Sequence, residues 1–133
     1  MALDVESLLA RQDTPLFSIT AKHPELGPTI YKPGKVREIF ADPRNPDYMV
    51  MTASDRISAF DVVLPTLIPH KGLVLTQMSA EWFNRTRDIV NNHFVSADPE
   101  DLPPEFRNSP DLHGRSMVVR KADPFKVECV VRG

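Results

Sequence analysis

The chain is arranged around one polar segment, Ala53-Ser54-Asp55-Arg56-Ile57-Ser58-Ala59-Phe60-Asp61. An apolar run, Tyr48-Met49-Val50-Met51, leads into it, and a second run, Val62-Val63-Leu64, follows it. Short apolar runs bounded by polar clusters are typical of strands, so the segment is predicted to connect two strands. A segment held at both ends can present its carboxylates, guanidinium and serines to a ligand. The alternative is a solvated connection in which the Asp and Ser residues form turns.

Composition and charge exclude several classes of protein. A chain of 133 residues with 41% hydrophobic and 26% charged residues is typical of one soluble domain. The formal net charge of −2 gives no broad basic field, so nucleic acid is not expected as a partner. No run approaches the ~18 apolar residues of a membrane span, and the acidic amino terminus does not favour a secretory signal. We therefore expect a cytoplasmic protein without a membrane partner.

Prolines and apolar residues together predict an α+β fold with short strands, long loops and few helices. The 13 prolines each fix their own φ and lack an amide donor. Strands are predicted within 29–40 around a turn at Pro33-Gly34, at 48–52, at 93–97, at 116–121 and at 126–132, with a further hairpin at 62–69. Helices are predicted at 4–12 and at 76–92, the second with Trp82 in the core. The proline-rich residues 98–114 are expected to form an exposed excursion.

The first candidate anion site is the basic turn Lys32-Pro33-Gly34-Lys35-Val36-Arg37. Gly34 lets the backbone approach an anion closely, while Lys35 and Arg37 add positive charge from alternate positions. A hairpin of this kind can cover a nucleotide triphosphate. It is not a Walker loop, because the Gly-x-x-x-x-Gly-Lys-Ser/Thr pattern is absent. The alternative is an ordinary soluble edge of a sheet.

Two further segments carry groups suited to ligands. Lys71-Gly72, directly before a helix-forming region, can offer an ammonium and free amides to a carboxylate or phosphate; the alternative is a helix start with an exposed lysine. The connector 122–125 can form a hinge whose backbone reads an adenine edge. The four histidines share no metal-ligand spacing. The single cysteine, Cys129, excludes an intramolecular disulfide, and its apolar neighbours do not favour a nucleophile.

Four segments carry a resemblance to a known family. They are Gly34-Lys35-Val36-Arg37-Glu38-Ile39-Phe40, Ser54-Asp55-Arg56-Ile57-Ser58-Ala59-Phe60-Asp61, Ile68-Pro69-His70-Lys71-Gly72 and Val127-Glu128-Cys129-Val130-Val131-Arg132-Gly133. In this order and spacing they resemble the amino-terminal half of the phosphoribosylaminoimidazole-succinocarboxamide synthase (SAICAR synthetase) family. The resemblance implies an ATP-dependent ligase of purine biosynthesis. It would join carboxyaminoimidazole ribonucleotide to L-aspartate through an acyl phosphate, with Mg²⁺, and release ADP and phosphate.

The resemblance also implies roles for individual residues. The ATP phosphates would be covered by Gly34, Lys35, Val36 and Arg37, and adenine would be held through the backbone of Lys121, Ala122, Asp123 and Pro124. The imidazole nucleotide and aspartate would be bound by Asp55, Ser58, Ala59, Asp61, Lys71, Gly72 and Arg132. Lys35, Asp61 and Lys71 are the candidate catalytic residues. None of the 133 residues is assigned as a metal ligand, and the Mg²⁺ ligands are expected beyond Gly133.

The implied fold is ATP-grasp-like: a mainly antiparallel sheet with one long helix clamps ATP against a larger carboxy-terminal domain. Residues 1–28 are expected to be an amino-terminal extension with a short helix, and 29–133 the ATP-clamping domain, incomplete at its carboxy end. With the carboxy-terminal domain absent, we expect the chain alone to be inactive and to self-associate through an exposed sheet edge. The alternative hypothesis is a non-catalytic nucleotide-binding or regulatory module, which has no need of Asp55, Ser58, Asp61 and Lys71.

Overall fold

A five-stranded antiparallel sheet forms the framework of the protein. The computed structural model describes Glu6 and residues 15–132. Its strands are β1 (Ile30–Pro33), β2 (Arg37–Ala41), β3 (Tyr48–Ala53), β4 (Ser58–Ala59), β5 (Val62–Val63), β6 (Phe94–Ser96) and β7 (Ser116–Arg120). The sheet order is β1-β2-β3-β7-β6, and β4 pairs with β5 in a separate hairpin. Its helices are α1 (Ile19–Lys22), α2 (Lys71–Arg85) and α3 (Pro104–Arg107), with 3-10 turns at Pro24–Thr29, Pro99–Asp101 and Pro110–Leu112.

Most of the predicted strands are confirmed. The two strands predicted within 29–40 are β1 and β2, and the predictions at 48–52, 93–97 and 116–121 correspond to β3, β6 and β7. The α+β class, with an antiparallel sheet and one long helix, is confirmed as well. The short helix predicted at 4–12 lies outside the described residues, apart from Glu6. Across the described ranges, no helix is both long and apolar enough to span a bilayer.

The sheet packs a hydrophobic cluster on each face. Because side chains alternate along a strand, Val118 joins one cluster while its neighbours Met117 and Val119 join the other. The first face buries Phe40, whose ring meets that of Phe106 edge-on at 5.2 Å. Three further side chains of this cluster come from before residue 29: Leu16, Ile19 and Leu26. The second face is covered by α2, which contributes Ala80 and, in part, Phe83.

The long helix lies earlier in the chain than predicted. It runs over Lys71–Arg85 and not over 76–92. The prediction that Trp82 is a core residue is wrong, since 61% of its surface is exposed. Met78, Ile89 and Val90 are exposed too. Most of the apolar residues at helical spacing therefore lie on the outer face of α2 and in the turn that follows it. The buried residues of α2 are Gly72, Leu73, Thr76 and Ala80, of which only Leu73 is a large apolar residue.

The proline-rich residues 98–114 are part of the core, so the prediction of an exposed excursion is wrong. Leu102, Phe106 and Leu112 are all at most 1% exposed and pack against the sheet. Each lies in or directly after a short helical turn with proline in its first turn. Proline suits the start of a helical turn, where its missing amide would have no partner. The prolines therefore shape a packed segment.

Two further predictions of secondary structure are wrong. Residues 126–132 form no strand and are exposed along their length. Alternating apolar residues can pair only where a neighbouring strand offers free backbone groups, and a sequence does not reveal that neighbour. The hairpin predicted at 62–69 lies instead at 58–63, where β4 and β5 enclose the turn Phe60-Asp61.

Candidate functional site

The basic turn between β1 and β2 is closed by its own backbone. The Gly34 amide donates to the Arg37 carbonyl at 2.8 Å. A Cβ at position 34 would lie 2.7 Å from that carbonyl oxygen, so the turn requires glycine. Ser54 fixes the turn to the end of β3, because its Oγ donates to the Val36 carbonyl at 3.0 Å. Lys35 is left exposed at the tip.

Lys35 meets Asp61 at the tip of the second hairpin. The Asp61 carboxylate accepts a hydrogen bond from Lys35 Nζ. This bond and the charge of the ammonium hold the pKa of Asp61 below its ordinary value. Phe60 and Asp61 both adopt left-handed backbone conformations, with φ of 50° and 65°, as a two-residue type I′ hairpin turn requires. The two hairpins therefore bring two candidate catalytic residues into contact.

Arg37 and Lys71 line one cavity of about 280 Å³ between α2 and the sheet. His93 and Phe83 form part of its wall. Burial lowers the pKa of Lys71, and the charge of Arg37 lowers it further, while Asp55 acts in the opposite direction. Burial and the charge of Arg37 also lower the pKa of His93. An anion in the cavity would relieve the repulsion between Arg37 and Lys71, so the cavity suits an anionic ligand.

The carboxylate of Asp55 is buried and paired with other groups of the protein. It forms an ion pair with Arg115 in which both side chains are 1% exposed. The Leu16 amide donates to Asp55 Oδ2 at 2.8 Å, and the Gly72 amide donates to Oδ1 at 2.9 Å. Asp55 and Gly72 were predicted to bind substrate, yet the carboxylate and the amide are already paired with each other. The structure places both behind the cavity wall, where they hold other residues in position.

The other residues predicted to bind substrate are Ser58, Ala59 and Arg132. Ser58 and Ala59 form β4, directly before the turn that carries Asp61, and Ser58 is half-buried. Arg132 is exposed, and none of the hydrogen bonds or ion pairs described for residues 15–132 connects it to Lys35 or Lys71. Ser58 and Ala59 therefore lie in the same hairpin as Asp61.

The segment predicted to hold adenine lies at the opposite end of the sheet from the basic turn. Its first residue, Lys121, donates its amide to the Asp47 carbonyl at 2.7 Å, and its Nζ lies 5.1 Å from the centre of the Tyr31 ring. Ala122, Asp123 and Pro124 are exposed. In the register of β3 with β7, the pair Thr52–Ser116 lies four residue steps from the pair Tyr48–Arg120. At ~3.3 Å per residue, these two pairs are about 13 Å apart along the strands.

Two residues of this region were missed by sequence reasoning. Arg115 precedes β7 between Gly114 and Ser116, a position where an arginine ordinarily lies in solvent. Only the presence of a buried carboxylate from a distant segment explains its burial. His93 follows two asparagines and gives no sign of facing Arg37 across the sheet. Neither residue carries a local signal, because both depend on contacts between distant segments.

The described residues fit a polyphosphate better than a metal ion. Exposed Lys35 and the nearby Arg37 offer positive charge at a tight glycine turn. Within residues 15–132 and Glu6, no group of three or more His, Cys, Asp or Glu side chains is placed to hold a metal ion.

A larger groove of about 520 Å³ lies between α2 and β6. Its polar wall includes Glu81, Asp98 and Asp101. None of the predicted site residues lines it, and its carboxylates do not suit phosphate groups. The smaller cavity beside Arg37 is therefore the better candidate for the anionic ligands.

Comparisons with known proteins identify the family of the chain. The model of one family, described as SAICAR synthetase, matches residues 30–133. A phosphoribosylaminoimidazole-succinocarboxamide synthase of Thermodesulfovibrio yellowstonii is 50% identical over 80% of this chain and 36% of its own length. The enzyme of the same name from Desulfosudis oleivorans is 47% identical over 80% of this chain and 36% of its own.

A solved structure shows the same fold. The SAICAR synthase of Saccharomyces cerevisiae, complexed with SAICAR, is 34% identical, has a TM-score of 0.57, and is matched over 69% of this chain and 33% of its own. The chain thus spans about a third of the length of the curated relatives that it matches. The family match covers most of the residues, including the basic turn, both hairpins and the start of α2. The chain belongs to the SAICAR synthetase family.

Proposed function

We propose that the protein takes part in de novo purine biosynthesis as the ATP-clamping portion of a SAICAR-forming ligase. The reaction joins the carboxylate of carboxyaminoimidazole ribonucleotide to the amine of L-aspartate and consumes ATP. A carboxylate is a poor acyl donor, so it is first phosphorylated to an acyl phosphate, from which the amine displaces phosphate. Such a reaction depends mainly on positioning and on positive charge near the transferred phosphoryl group.

The cations around the basic turn suit this chemistry. Lys35, Gly34, Val36 and Arg37 would cover the triphosphate, because they combine a tight turn with two positive charges. Lys71 would bind the acidic substrate from the other side of the cavity that Arg37 lines. Binding of an anion by Lys35 would release Asp61 from its ion pair. The freed carboxylate would then be available beside the reacting groups as a hydrogen-bond acceptor.

The observation that carries the proposal is the meeting of separate segments in one place. Arg37 from β2 and Lys71 from α2 line one cavity. Lys35, two residues before Arg37, is paired with Asp61 of the β4–β5 turn. Cations on unrelated surfaces would be solvated singly, whereas here Arg37 and Lys71 line one cavity large enough for part of a nucleotide.

The other predicted residues take supporting roles in the proposal. Asp55 and Gly72 would position the start of α2, because their polar groups are paired inside the protein. Ser58 and Ala59 would shape the hairpin that carries Asp61. Residues 121–124 would hold adenine at the far end of the sheet through their backbone, beside Tyr31. Arg132 would bind an anionic substrate group.

Titration with ATP tests the phosphate turn directly. Lys35→Ala should weaken ATP binding by roughly tenfold, because a charge-assisted contact to phosphate is lost. Lys22→Ala is the matched control: it removes the same charge from α1, where Lys22 pairs with Asp111 at 3.0 Å. Isothermal titration calorimetry of the three proteins supplies the comparison. Equal losses in both variants would contradict specific binding at the turn.

A turnover assay separates the ligase from a nucleotide-binding or regulatory module. The chain spans 36% of the Thermodesulfovibrio yellowstonii relative, so it is assayed alone and together with the remaining part of that relative. We expect ATP- and aspartate-dependent SAICAR formation only in the mixture. Product from the chain alone would contradict the expectation of inactivity. ATP binding without product in either sample would favour the non-catalytic module.

A further inference from the structure

Outside the basic turn, Asp55 and Arg115 form an ion pair that is almost completely buried. Arg115 Nη1 donates to Asp55 Oδ1 at 3.1 Å, and Nη2 donates to Oδ2 at 3.2 Å. Such a two-point contact fixes the carboxylate in orientation as well as in distance. Arg115 Nη1 also donates to the Ala53 carbonyl at 3.1 Å, at the end of β3. The pair thus joins the start of β7 to the end of β3.

The same carboxylate reaches the first turn of α2. The first amides of a helix have no partner within the helix and are commonly satisfied by a capping side chain. His70, the residue at the cap position, has φ 62° and makes no capping hydrogen bond with its side chain. Asp55 Oδ1 instead accepts from the Gly72 amide at 2.9 Å. A carboxylate from another segment therefore caps α2, in the place that the helix dipole favours.

We propose that Arg115 is a positioning residue of the candidate site. Arg115 orients Asp55, Asp55 holds the Gly72 amide, and this chain of contacts fixes where α2 begins. Lys71 is the first residue of that helix and lines the cavity with Arg37. Arg115 thereby sets the position of the Lys71 ammonium without itself contacting a ligand. The functional part of this inference rests on the proposed function, since it takes Lys71 to bind an anion.

The packing around Gly72 leaves no room for a side chain. A Cβ at position 72 would lie 2.5 Å from the Ala53 oxygen and 2.9 Å from Arg115 Nη1. A second contact ties the same helix to the same arginine, because Thr76 Oγ1 donates to the Arg115 carbonyl at 3.3 Å. The side chain and the backbone of Arg115 therefore both hold α2. Only the side-chain contact, through Asp55, reaches the end of the helix that carries Lys71.

Hydrogen exchange of the Gly72 amide tests the inference. This amide would exchange freely in an isolated helix, so its protection reports the contact with Asp55. Arg115→Met keeps much of the side-chain volume and removes the fork of donors. The control is Val119→Ala, which truncates a fully buried side chain of β7, the strand that follows Arg115, away from Asp55. Denaturant is added to the more stable variant until both have the same free energy of unfolding. Under these conditions we expect the exchange rate of the Gly72 amide to rise roughly tenfold more in Arg115→Met than in the control.

Binding of inorganic tripolyphosphate, measured on the same proteins, gives the functional readout. We expect Arg115→Met to weaken this binding by about three- to tenfold and Val119→Ala to leave it unchanged. Arg115→Lys should restore the affinity only in part, because an ammonium lacks the planar fork that engages both carboxylate oxygens. If Arg115→Met does not fold, Asp55→Asn combined with Arg115→Met removes both charges and serves in its place.

The outcomes separate this inference from the proposed function. A Gly72 amide that exchanges alike in the arginine variant and the control would overturn the positioning role. Raised exchange with unchanged tripolyphosphate affinity would overturn the link to Lys71. Wild-type protein that binds no tripolyphosphate, or binds it equally after Lys35→Ala, would instead contradict the proposed phosphate turn. In that case the exchange of Gly72 still decides whether Arg115 sets the start of α2.

Discussion

Lys35 and Asp61 form an ion pair that joins the tips of two separate hairpins. Both side chains are largely exposed, at 54% and 90%, so the contact contributes little to the stability of the fold. Its position matters more than its strength. The ammonium that the proposal assigns to phosphate is held by a carboxylate that a phosphate would displace. Asp61 therefore competes with the anionic ligand for Lys35.

Removing this competitor should strengthen anion binding. Asp61→Asn is expected to raise the affinity for tripolyphosphate by roughly two- to fivefold at low ionic strength, with less effect at high salt. Asp88→Asn, at an exposed position beyond α2, makes the same change in net charge. Calorimetric titrations at two salt concentrations compare the two variants. An equal gain in both would show only a change in overall charge.

The left-handed turn at Phe60 should be strained. Phe60→Asn is expected to stabilise the protein by about 0.5–1 kcal/mol, because asparagine tolerates the left-handed region at the first central position of a type I′ turn. Phe60→Ala removes the same exposed ring but keeps an unfavourable residue at φ 50°, so it should give no such gain. Urea unfolding monitored by circular dichroism measures the difference. Equal stability of the two variants would argue against strain.

Gly72 should not tolerate a methyl group. Replacing a helical glycine by alanine ordinarily stabilises a helix by up to about 1 kcal/mol. Here the added Cβ would lie 2.5 Å from the Ala53 carbonyl oxygen, so Gly72→Ala should instead destabilise by about 1–3 kcal/mol. Gly27→Ala is the control, because its Cβ would meet nothing within 4 Å. Chemical denaturation of both variants checks the sign.

The titration of His93 should report the charge of Arg37. The folded pKa of His93 lies below its ordinary 6.5 because of burial first and Arg37 second. The unfolded chain therefore takes up this proton first, so stability should fall as the pH drops below about 6.5. Arg37→Gln should raise the pKa of His93 part of the way back and reduce that acid loss. Arg85→Gln is the control, because Arg85 forms an exposed ion pair with Glu81 on α2. It should change neither the pKa of His93, measured by NMR titration, nor the loss of stability in acid.

Phe106 should contribute more to the free energy of unfolding than Trp82, the reverse of the order that the sequence predicts. Phe106 lies in the segment predicted to be exposed, yet it is 1% exposed, whereas Trp82 is 61% exposed. Phe106→Ala should cost about 3–5 kcal/mol of unfolding free energy. Trp82→Ala should cost less than about 1 kcal/mol, as is usual for surface positions. Equilibrium unfolding of the pair measures both values, and similar costs would contradict the packing described here.

The sequence predicts the sheet well because strands carry local signals. Short apolar runs and alternating residues, with turns at Pro33-Gly34 and at 42–47, are enough to place β1, β2 and β3. The basic turn is recognisable for the same reason, since Gly34 and its charged neighbours lie within one short segment. The contact of Lys35 with Asp61 was expected only as part of a common pocket, and the structure supplies the ion pair.

What the sequence does not predict depends on contacts between distant segments. The start of α2 is set by Asp55, which is 17 residues away from Gly72, and no helical periodicity contains that information. The family resemblance implied a substrate-binding role for Asp55, and an aspartate in a polar segment is ordinarily exposed. Its burial follows from Arg115, 60 residues further along the chain. Long-range pairs of this kind require the coordinates.

The order of the strands has a consequence for how the protein is made. β7 lies inside the sheet although it is the last of the described strands in sequence order. Thr52 of β3 and its partner Ser116 are 64 residues apart in the sequence. On the ribosome, the first three strands therefore emerge with one edge of β3 unpaired until residues 116–120 appear. Closure of the sheet comes late in synthesis, and during that interval the open edge is exposed to chaperones and to other nascent chains.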